Sequence, residues 1–161
     1  MAVDMFLKLD GIKGESHDSK HKGEIDVLAW SWGMSNGSST HSGGGGGAGK
    51  VSINDITLTK NVDSSSNALF LSCATGHHIK QADLVVRKHG GKTPLEYLKI
   101  KLEDIIITSV SIGGAGGDTM VSENVSLSFA KVHFDYVPQK EDGTGGAPMP
   151  FGFDIKQHMK L

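Results

Sequence analysis

The stretch GEIDVLAWSWGMSNGSSTHSGGGGGAGK, residues 23–50, decides how the rest of the chain is interpreted. Apolar residues occupy both odd and even positions within residues 24–32, which predicts one β-strand covered on both faces. The apolar residues of the two phases are Ile25, Val27 and Ala29 on one face, and Leu28, Trp30 and Trp32 on the other. We expect Trp30 and Trp32 in the hydrophobic core. The segment 33–49 has no apolar side chain larger than Met34, and such a long segment without packing residues indicates an extended loop that is functional or disordered.

Length and composition favour one globular domain over residues 1–161. The net charge is −2 and Arg87 is the single arginine, so the composition argues against a nucleic-acid or anionic-membrane partner. The sequence has no long apolar run and no signal-peptide pattern at residues 1–9, and its one cysteine, Cys73, suits a reducing compartment. We expect a protein made in the cytoplasm which, if exported, leaves folded and without a cleaved signal.

Strand patterns dominate the remainder of the chain. One helix is predicted from Asp63 to Gly76, and its apolar stripe comprises Leu69, Phe70, Cys73 and Ala74. Alternation predicts strands at 3–9, 51–60, 82–87, 95–112, 119–137 and 151–155, with bulges near 54–55 and 129–130. In the segment 95–112 the predicted core face consists of six even positions, Leu98, Ile100, Leu102, Ile106, Val110 and Ile112. One helix among six to eight strands predicts a mainly β fold, either a barrel or a sandwich.

Two near-motifs of enzymes occur, and neither meets its structural requirement. Residues 44–50 spell GxxxxGK, but Val51 replaces the Ser or Thr of a P-loop and a strand pattern follows instead of a helix. Residues 33–37 spell GxSxG around Ser35, but no helix follows as a nucleophile elbow requires. We therefore predict no catalytic residues. An enzyme, hydrolytic or nucleotide-dependent, is the first alternative, and substitution of Ser35 or Lys50 would reveal it.

Eight histidines raise the question of a metal site. His17 and His21 have i,i+4 spacing, but their charged segment 13–22 lacks a helical pattern. His77 and His78 follow the predicted helix, where they can contact its last carbonyl groups. No CxxC or HExxH motif occurs. We predict solvated surface histidines, no metal and no other cofactor.

Several long blocks of the sequence resemble one family. They are MAVDMF (1–6), GEIDVLAWSWGMS (23–35), GGGGGAGKV (43–51), KHGGKTPLEYLKIKLEDIIITSVSIGG (88–114) and SENVSLSFAKVHFDYVPQK (122–140). In register over nearly the full chain, these blocks resemble the hemolysin-coregulated proteins, the Hcp family of bacterial type VI secretion. The segments 13–22 and 141–150 look variable, and little is carried over to them.

The resemblance implies a short β-barrel of two sheets with one flanking α-helix, akin to phage tail-tube proteins. It implies homohexameric rings that stack into a tube inside a contractile sheath, with spike and baseplate proteins as partners and small effector proteins in the lumen. A chain that stops at Leu161 is expected to be the plain tube subunit, without the C-terminal toxin domain of some members. The tube would assemble in the bacterial cytoplasm and be secreted outside or into a target cell, without membrane insertion. A monomeric ligand-binding barrel is the second alternative.

Two glycine-rich projections are candidates for contacts between subunits or rings, because a closed ring and an open stack need two different heterologous interfaces. Their glycines are Gly43, Gly44, Gly45, Gly46, Gly47 and Gly49 in the loop 33–49, and Gly113, Gly114, Gly116 and Gly117 in the turn 113–118. Ser31 is the candidate lumen-facing and effector-facing residue, since it lies on the predicted strand face opposite Trp30 and Trp32.

Overall fold

A computed structural model describes residues 3–37, 51–89 and 92–161, which contain eleven strands and one helix. The strands are β1 (Val3–Leu9), β2 (Ile25–Asp26), β3 (Ala29–Ser31), β4 (Met34–Asn36), β5 (Val51–Ile53), β6 (Ile56–Asn61), β7 (His78–Lys88), β8 (Leu95–Gly113), β9 (Ser122–Tyr136), β10 (Met149–Asp154) and β11 (Met159–Lys160), and the helix is α1 (Ser66–Thr75). Nine strands form one bent sheet, and β4 with β5 forms a separate hairpin. The mainly β fold of two sheets with one helix is thereby confirmed.

The hairpin of β8 and β9 connects the two halves of the sheet. Along the main path the strand order is β11-β10-β9-β8-β7-β1-β2, and β6 and then β3 extend the sheet from the other half of β9. One side of β9 thus pairs with β6 over residues 122–127 and with β10 over residues 131–136. Strands of 19 and 15 residues exceed the usual length because each serves both halves of the sheet. The two halves face each other across a core of aliphatic side chains.

The sheet bends at Asp104 of β8, between the paired residues Glu103 and Ile105. Asp104 has a φ of 56°, and the buried positions of β8 change phase there. They are Leu98, Ile100 and Leu102 before the bend, and Ile105 and Ile107 after it. The even phase predicted for the whole segment 95–112 is therefore wrong at residues 105–107, and it returns at Val110, which packs against the core after the register shift between Ile107 and Ser109. On β9 the phase changes between Phe129 and Val132, as predicted.

Residues 24–32 form two short strands at a corner of the barrel. The Val27 amide donates to the Met5 carbonyl of β1 at 3.0 Å, whereas the next amide, of Leu28, donates to Thr59 of β6 at 2.8 Å. Because consecutive residues bond to different strands, the alternation breaks between them. Ile25 and Val27 belong to the core, and the prediction of one continuous strand over residues 24–32 is wrong. Leu28 is 54% exposed.

Both tryptophans pack against the core and are half-buried. Trp32 contacts Phe129 edge-on at 6.3 Å between ring centroids, and its indole nitrogen donates to the Asn54 carbonyl at 3.1 Å. The break between β5 and β6 at residues 54–55 matches the predicted bulge.

Helix α1 ends as predicted and buries part of the predicted stripe, since Leu69 is buried and Cys73 packs against the core. Gly76 closes it with a left-handed φ of 67°. The buried residues are Ser66, Leu69 and Ser72, whereas Phe70 and Ala74 of the predicted stripe are exposed. Ser66 is buried because the helix N-terminus covers a buried ion pair, described below.

Two predicted loops contain more structure than expected. Met34–Asn36 pairs with Val51–Ile53, so the first residues of the loop 33–49 are a strand. Its glycines from Gly43 to Gly49, and the near-motif at 44–50, lie outside the described residues. In the charged segment 13–22, Ser16 and His21 are buried, so the prediction of a solvated histidine is wrong at His21.

Candidate functional site

One outer face of the barrel is covered by small uncharged side chains. Four strands, β3, β6, β9 and β8, contribute to it in two adjacent rows. The rows are Ser31, Thr57, Ser126 and Ser109, and Ala29, Thr59, Asn124 and Ser111. We call these eight residues the hydroxyl face. Ser31 is exposed at its β3 edge.

Alternation on the central strands creates this face. On β6 the side chains of Ile56 and Leu58 are buried, so Thr57 and Thr59 point away from the core. Their hydroxyl groups bond across to β9: Thr57 Oγ1 lies 3.3 Å from Ser126 Oγ, and Thr59 Oγ1 donates to Asn124 Oδ1 at 2.9 Å. These cross-strand bonds hold the face in one arrangement without charged groups.

The outer face of the other half of the sheet has the opposite chemistry. Lys8, Asp83, Lys101 and His133 stand side by side on β1, β7, β8 and β9. Asp83 thus lies between the opposite charges of Lys8 and Lys101. The two outer faces of one bent sheet therefore differ, one charged and one uncharged, and the uncharged face is the one that contains Ser31.

Sequence reasoning found Ser31 but missed the other seven members of the face. Their pattern was visible in the sequence, because these polar residues alternate with core residues that were recognised. On β6, for example, Thr57 and Thr59 alternate with Ile56, Leu58 and Lys60. Only the pairing of four strands shows that these positions form one surface.

A buried ion pair lies on the core side of the same strands. Lys60 Nζ of β6 lies 2.7 Å from Glu123 Oε2 of β9 and 3.0 Å from Asp63 Oδ1. The Ser66 hydroxyl, in the first turn of α1, donates to Glu123 Oε2 at 2.6 Å. The side chains of Lys60 and Glu123 are 1% and 0% exposed. This group joins both strands to the helix beneath the hydroxyl face.

The far end of the β8–β9 hairpin is apolar and exposed. Ile112, Met120 and Val121 are 55%, 58% and 45% exposed, and Leu28 and Val62 lie at the same end of the barrel. The Val62 amide donates to the Val121 carbonyl at 2.9 Å. Sequence reasoning selected the glycines of this turn and overlooked its apolar neighbours.

The predicted glycines of the turn 113–118 have space around them. A Cβ atom added at Gly113, Gly116 or Gly117 would meet nothing within 4 Å among the described residues, and at Gly114 it would lie 3.8 Å from Val121. The turn is therefore open to contact with another molecule.

A recess of about 500 Å³ lies at the bend of the sheet, and its charges are compensated within the chain. Lys156 Nζ and His78 Nδ1 both lie 2.8 Å from Asp104 carboxylate oxygens. The hydrogen bond from Lys156, with that of His78, lowers the pKa of Asp104, and the same bond raises the pKa of Lys156. These contacts join β7 and the segment after β10 to β8 at the bend.

Of the two positions that suggested an enzyme, Lys50 lies outside the described residues and Ser35 lacks the strand-to-helix turn of a nucleophile elbow. Ser35 is exposed in the short hairpin, opposite Ser52, instead of on a strained strand-to-helix turn. Across residues 3–37, 51–89 and 92–161, no group of three or more His, Cys, Asp or Glu side chains is placed to hold a metal ion. The described part of the chain also contains no helix long and apolar enough to cross a membrane.

Comparison with known proteins assigns the family. The family model described as "Type VI secretion system effector, Hcp" matches residues 6–136. The chain belongs to the Hcp family. It is 52% identical over 161 residues to Protein hcp1 of Pseudomonas aeruginosa, covering 99% of each chain. Hcp proteins are secreted tube proteins of type VI secretion and are not a known enzyme family.

Solved Hcp structures share the fold. The crystal structure of Hcp1 from Salmonella typhimurium has a TM-score of 0.83 and 42% identity, covering 100% of both chains. A type VI secretion effector from Yersinia pestis has a TM-score of 0.77 and 39% identity, covering 94% of this chain and all of that one. A further type six secretion system protein reaches a TM-score of 0.93 at 29% identity. These matches confirm the predicted Hcp resemblance and its tube-type β fold.

Proposed function

We propose that the whole chain, residues 1–161, is one inner-tube subunit of a type VI secretion system. Six copies close into a ring, rings stack into a tube, and contraction of the surrounding sheath ejects the tube with small effector proteins in its lumen. Family membership supports the role in secretion. The observation that carries the proposal for the lumen is the hydroxyl face, a pre-formed uncharged wall on one side of the sheet.

The chemistry of the hydroxyl face suits transient carriage of a protein. Its Ser, Thr and Asn groups offer hydrogen bonds that water replaces at little cost, and burial of its small side chains desolvates little apolar area. Because no charged side chain belongs to the face, effectors of either net charge can approach it. A folded effector would therefore be held weakly and released after ejection.

Assembly requires a closing interface within a ring and a second interface between rings. The exposed apolar end of the β8–β9 hairpin, with Gly113, Gly114, Gly116 and Gly117, is our candidate for one of them. We assign the other interface to Gly43 to Gly47 and Gly49, as an arm that orders against a neighbouring subunit or ring. Deletion of Ser42 to Gly47 should leave a folded domain that polymerises poorly, and normal tube formation by the deletion would refute this assignment.

The remaining partners follow from the same proposal. The tube would be built in the bacterial cytoplasm on baseplate proteins, capped by a spike protein and enclosed by the sheath, and it would leave the cell without a signal peptide. It would bind neither nucleic acid nor a membrane. Size-exclusion chromatography with light scattering tests the ring, since a species near 17.0 kDa at micromolar concentration would contradict it.

Substitution Ser31→Gln tests the lumen assignment. Glutamine adds bulk to the hydroxyl face without entering the core, so rings should form normally while the retained fraction of a co-expressed effector falls by about tenfold. Thr93→Gln, an exposed change on another part of the surface, is the control and should retain the effector. Loss of rings in Ser31→Gln would make Ser31 an interface residue, and unchanged retention would remove the hydroxyl face from the lumen.

A further inference from the structure

The loop between β1 and β2 is a rigid structure. Backbone bonds join its two arms: the Gly14 amide donates to Gly23 at 2.8 Å, the Gly23 amide to Ser16 at 2.9 Å, and the Ser16 amide to Glu24 at 3.0 Å. A Cβ atom on Gly14 would lie 2.5 Å from the Glu24 carbonyl oxygen, so this close approach requires glycine.

An arginine clamp fixes the middle of the loop to the sheet. Arg87 Nη2 and Nη1 donate to the two carboxylate oxygens of Asp18 at 2.7 and 3.1 Å, and Nη2 also reaches Asp4 at 2.9 Å. The hydrogen bond from Arg87 lowers the pKa of Asp18 and of Asp4, and the hydrogen bond to Asp18 raises the pKa of Arg87. The acidic side chain of the loop centre is therefore directed inward.

His21 fixes the end of the loop. Its ring stacks on Phe6 at 4.3 Å, and Arg87 lies 5.0 Å from the centre of the Phe6 ring. Nδ1 of His21 lies 3.0 Å from Glu24 and Nε2 lies 2.8 Å from Glu96. Burial is the largest single influence and opposes ionisation of Glu96, but the hydrogen bond with His21 and the nearby charge of Lys99 together lower the pKa of Glu96. Glu24 is thus engaged inside the chain.

These inward contacts leave the basic groups of the loop outside. A recess of about 700 Å³ is lined by four lysines, Lys8, Lys13, Lys20 and Lys22. None of their ammonium groups forms an ion pair with any described residue. Of the lining carboxylates Glu24 is held by His21, so within the described lining Asp10 alone remains beside the four lysines, and outside the lining Asp83 of β7 lies next to Lys8. We call these four residues the lysine recess.

We propose that the lysine recess docks an acidic segment of a partner protein, with consecutive Asp or Glu side chains facing the four ammonium groups. The recess is positive, concave and held in shape before binding, which reduces the entropy lost on association. Its described lining contains no aromatic ring on which bases could stack and no guanidinium for base edges. A chain of net charge −2 also lacks the overall positive field of nucleic-acid binders. An acidic peptide is therefore the ligand class that fits.

The test is calorimetric titration of the full chain with a capped hexaglutamate peptide. We expect saturable binding at one site per chain, weakened about tenfold in Lys20→Gln/Lys22→Gln and kept in Lys20→Arg/Lys22→Arg. Lys92→Gln/Lys160→Gln removes the same charge elsewhere on the surface and should bind within about twofold of the parent. Raising sodium chloride from about 50 to about 300 mM should weaken binding, because the charges are exposed to solvent.

Three results would overturn the proposal. The first is absence of saturable hexaglutamate binding. The second is equal weakening by the Lys92→Gln/Lys160→Gln control, which would mean diffuse charge attraction. The third is equally tight binding of a hexathymidylate oligonucleotide, which would make the recess a general polyanion site.

Discussion

Substitution Lys60→Met isolates the energetic role of the buried ion pair. Lys60 and Glu123 are 1% and 0% exposed, so loss of the ammonium group leaves a carboxylate in the core. The Ser66 hydroxyl would remain on Glu123 Oε2, while Oε1 has no hydrogen-bond partner among the described residues. Stranding one partner of a buried pair costs about 3–5 kcal/mol of unfolding free energy. We expect Lys60→Met to fall in that range.

Replacement of both partners should reverse most of this loss. Methionine at both positions removes the two fully buried charges together, and such exchanges are often neutral or stabilising by about 1–4 kcal/mol relative to the pair. Asp63 loses the ammonium group but is 12% exposed and keeps the hydrogen bond from the Ser65 amide. Urea unfolding followed by tryptophan fluorescence, at one fixed protomer concentration, measures all variants on the same scale. Lys99→Met, on the exposed charged face, is the control and should stay within about 0.5 kcal/mol. A cost below about 1 kcal/mol for Lys60→Met would refute the reasoning.

Three further predictions concern the loop and the corner. Gly14→Ala should destabilise the domain by more than about 1 kcal/mol, because the added Cβ atom would lie 2.5 Å from the backbone. Gly113→Ala, where a Cβ atom meets nothing within 4 Å among the described residues, should be close to neutral in the same urea assay. Equal effects of the two substitutions would contradict the close approach at Gly14. The stability that Asp18 contributes through Arg87 should be present above about pH 4 and be lost as the pH falls through the lowered pKa of Asp18. The difference in unfolding free energy between wild type and Asp18→Asn should therefore shrink in acid. A constant difference between pH 7 and pH 2 would exclude this linkage. Trp30→Ala should lower the unfolding free energy by about 2 kcal/mol, less than the about 3–5 kcal/mol expected for a fully buried ring, since this ring is half-buried. A larger measured loss would show that the ring is packed more tightly than its exposure indicates.

Local alternation alone determined much of the fold. The class, the long β8–β9 hairpin, the break at residues 54–55, the phase change after Phe129 and the end of α1 at Gly76 were all predictable. Each depends on neighbours within a few residues: side chains alternate along a strand, and a glycine adopts the left-handed conformation that ends a helix. The polar phase of β6 and β9 was equally visible in the sequence, although its importance was not.

Tertiary structure decided which partner each strand bonds, and this determined the faces. At Val27 and Leu28 consecutive amides bond to β1 and to β6, and at Asp104 a left-handed residue shifts the phase of β8. Either event reverses which side chains reach the core, because the side-chain period of a strand is two. The hydroxyl face needs four strands from distant parts of the chain, and the lysine recess needs Arg87 to turn Asp18 inward. Those contacts join residues far apart in sequence, so alternation along any one segment carries no information about them.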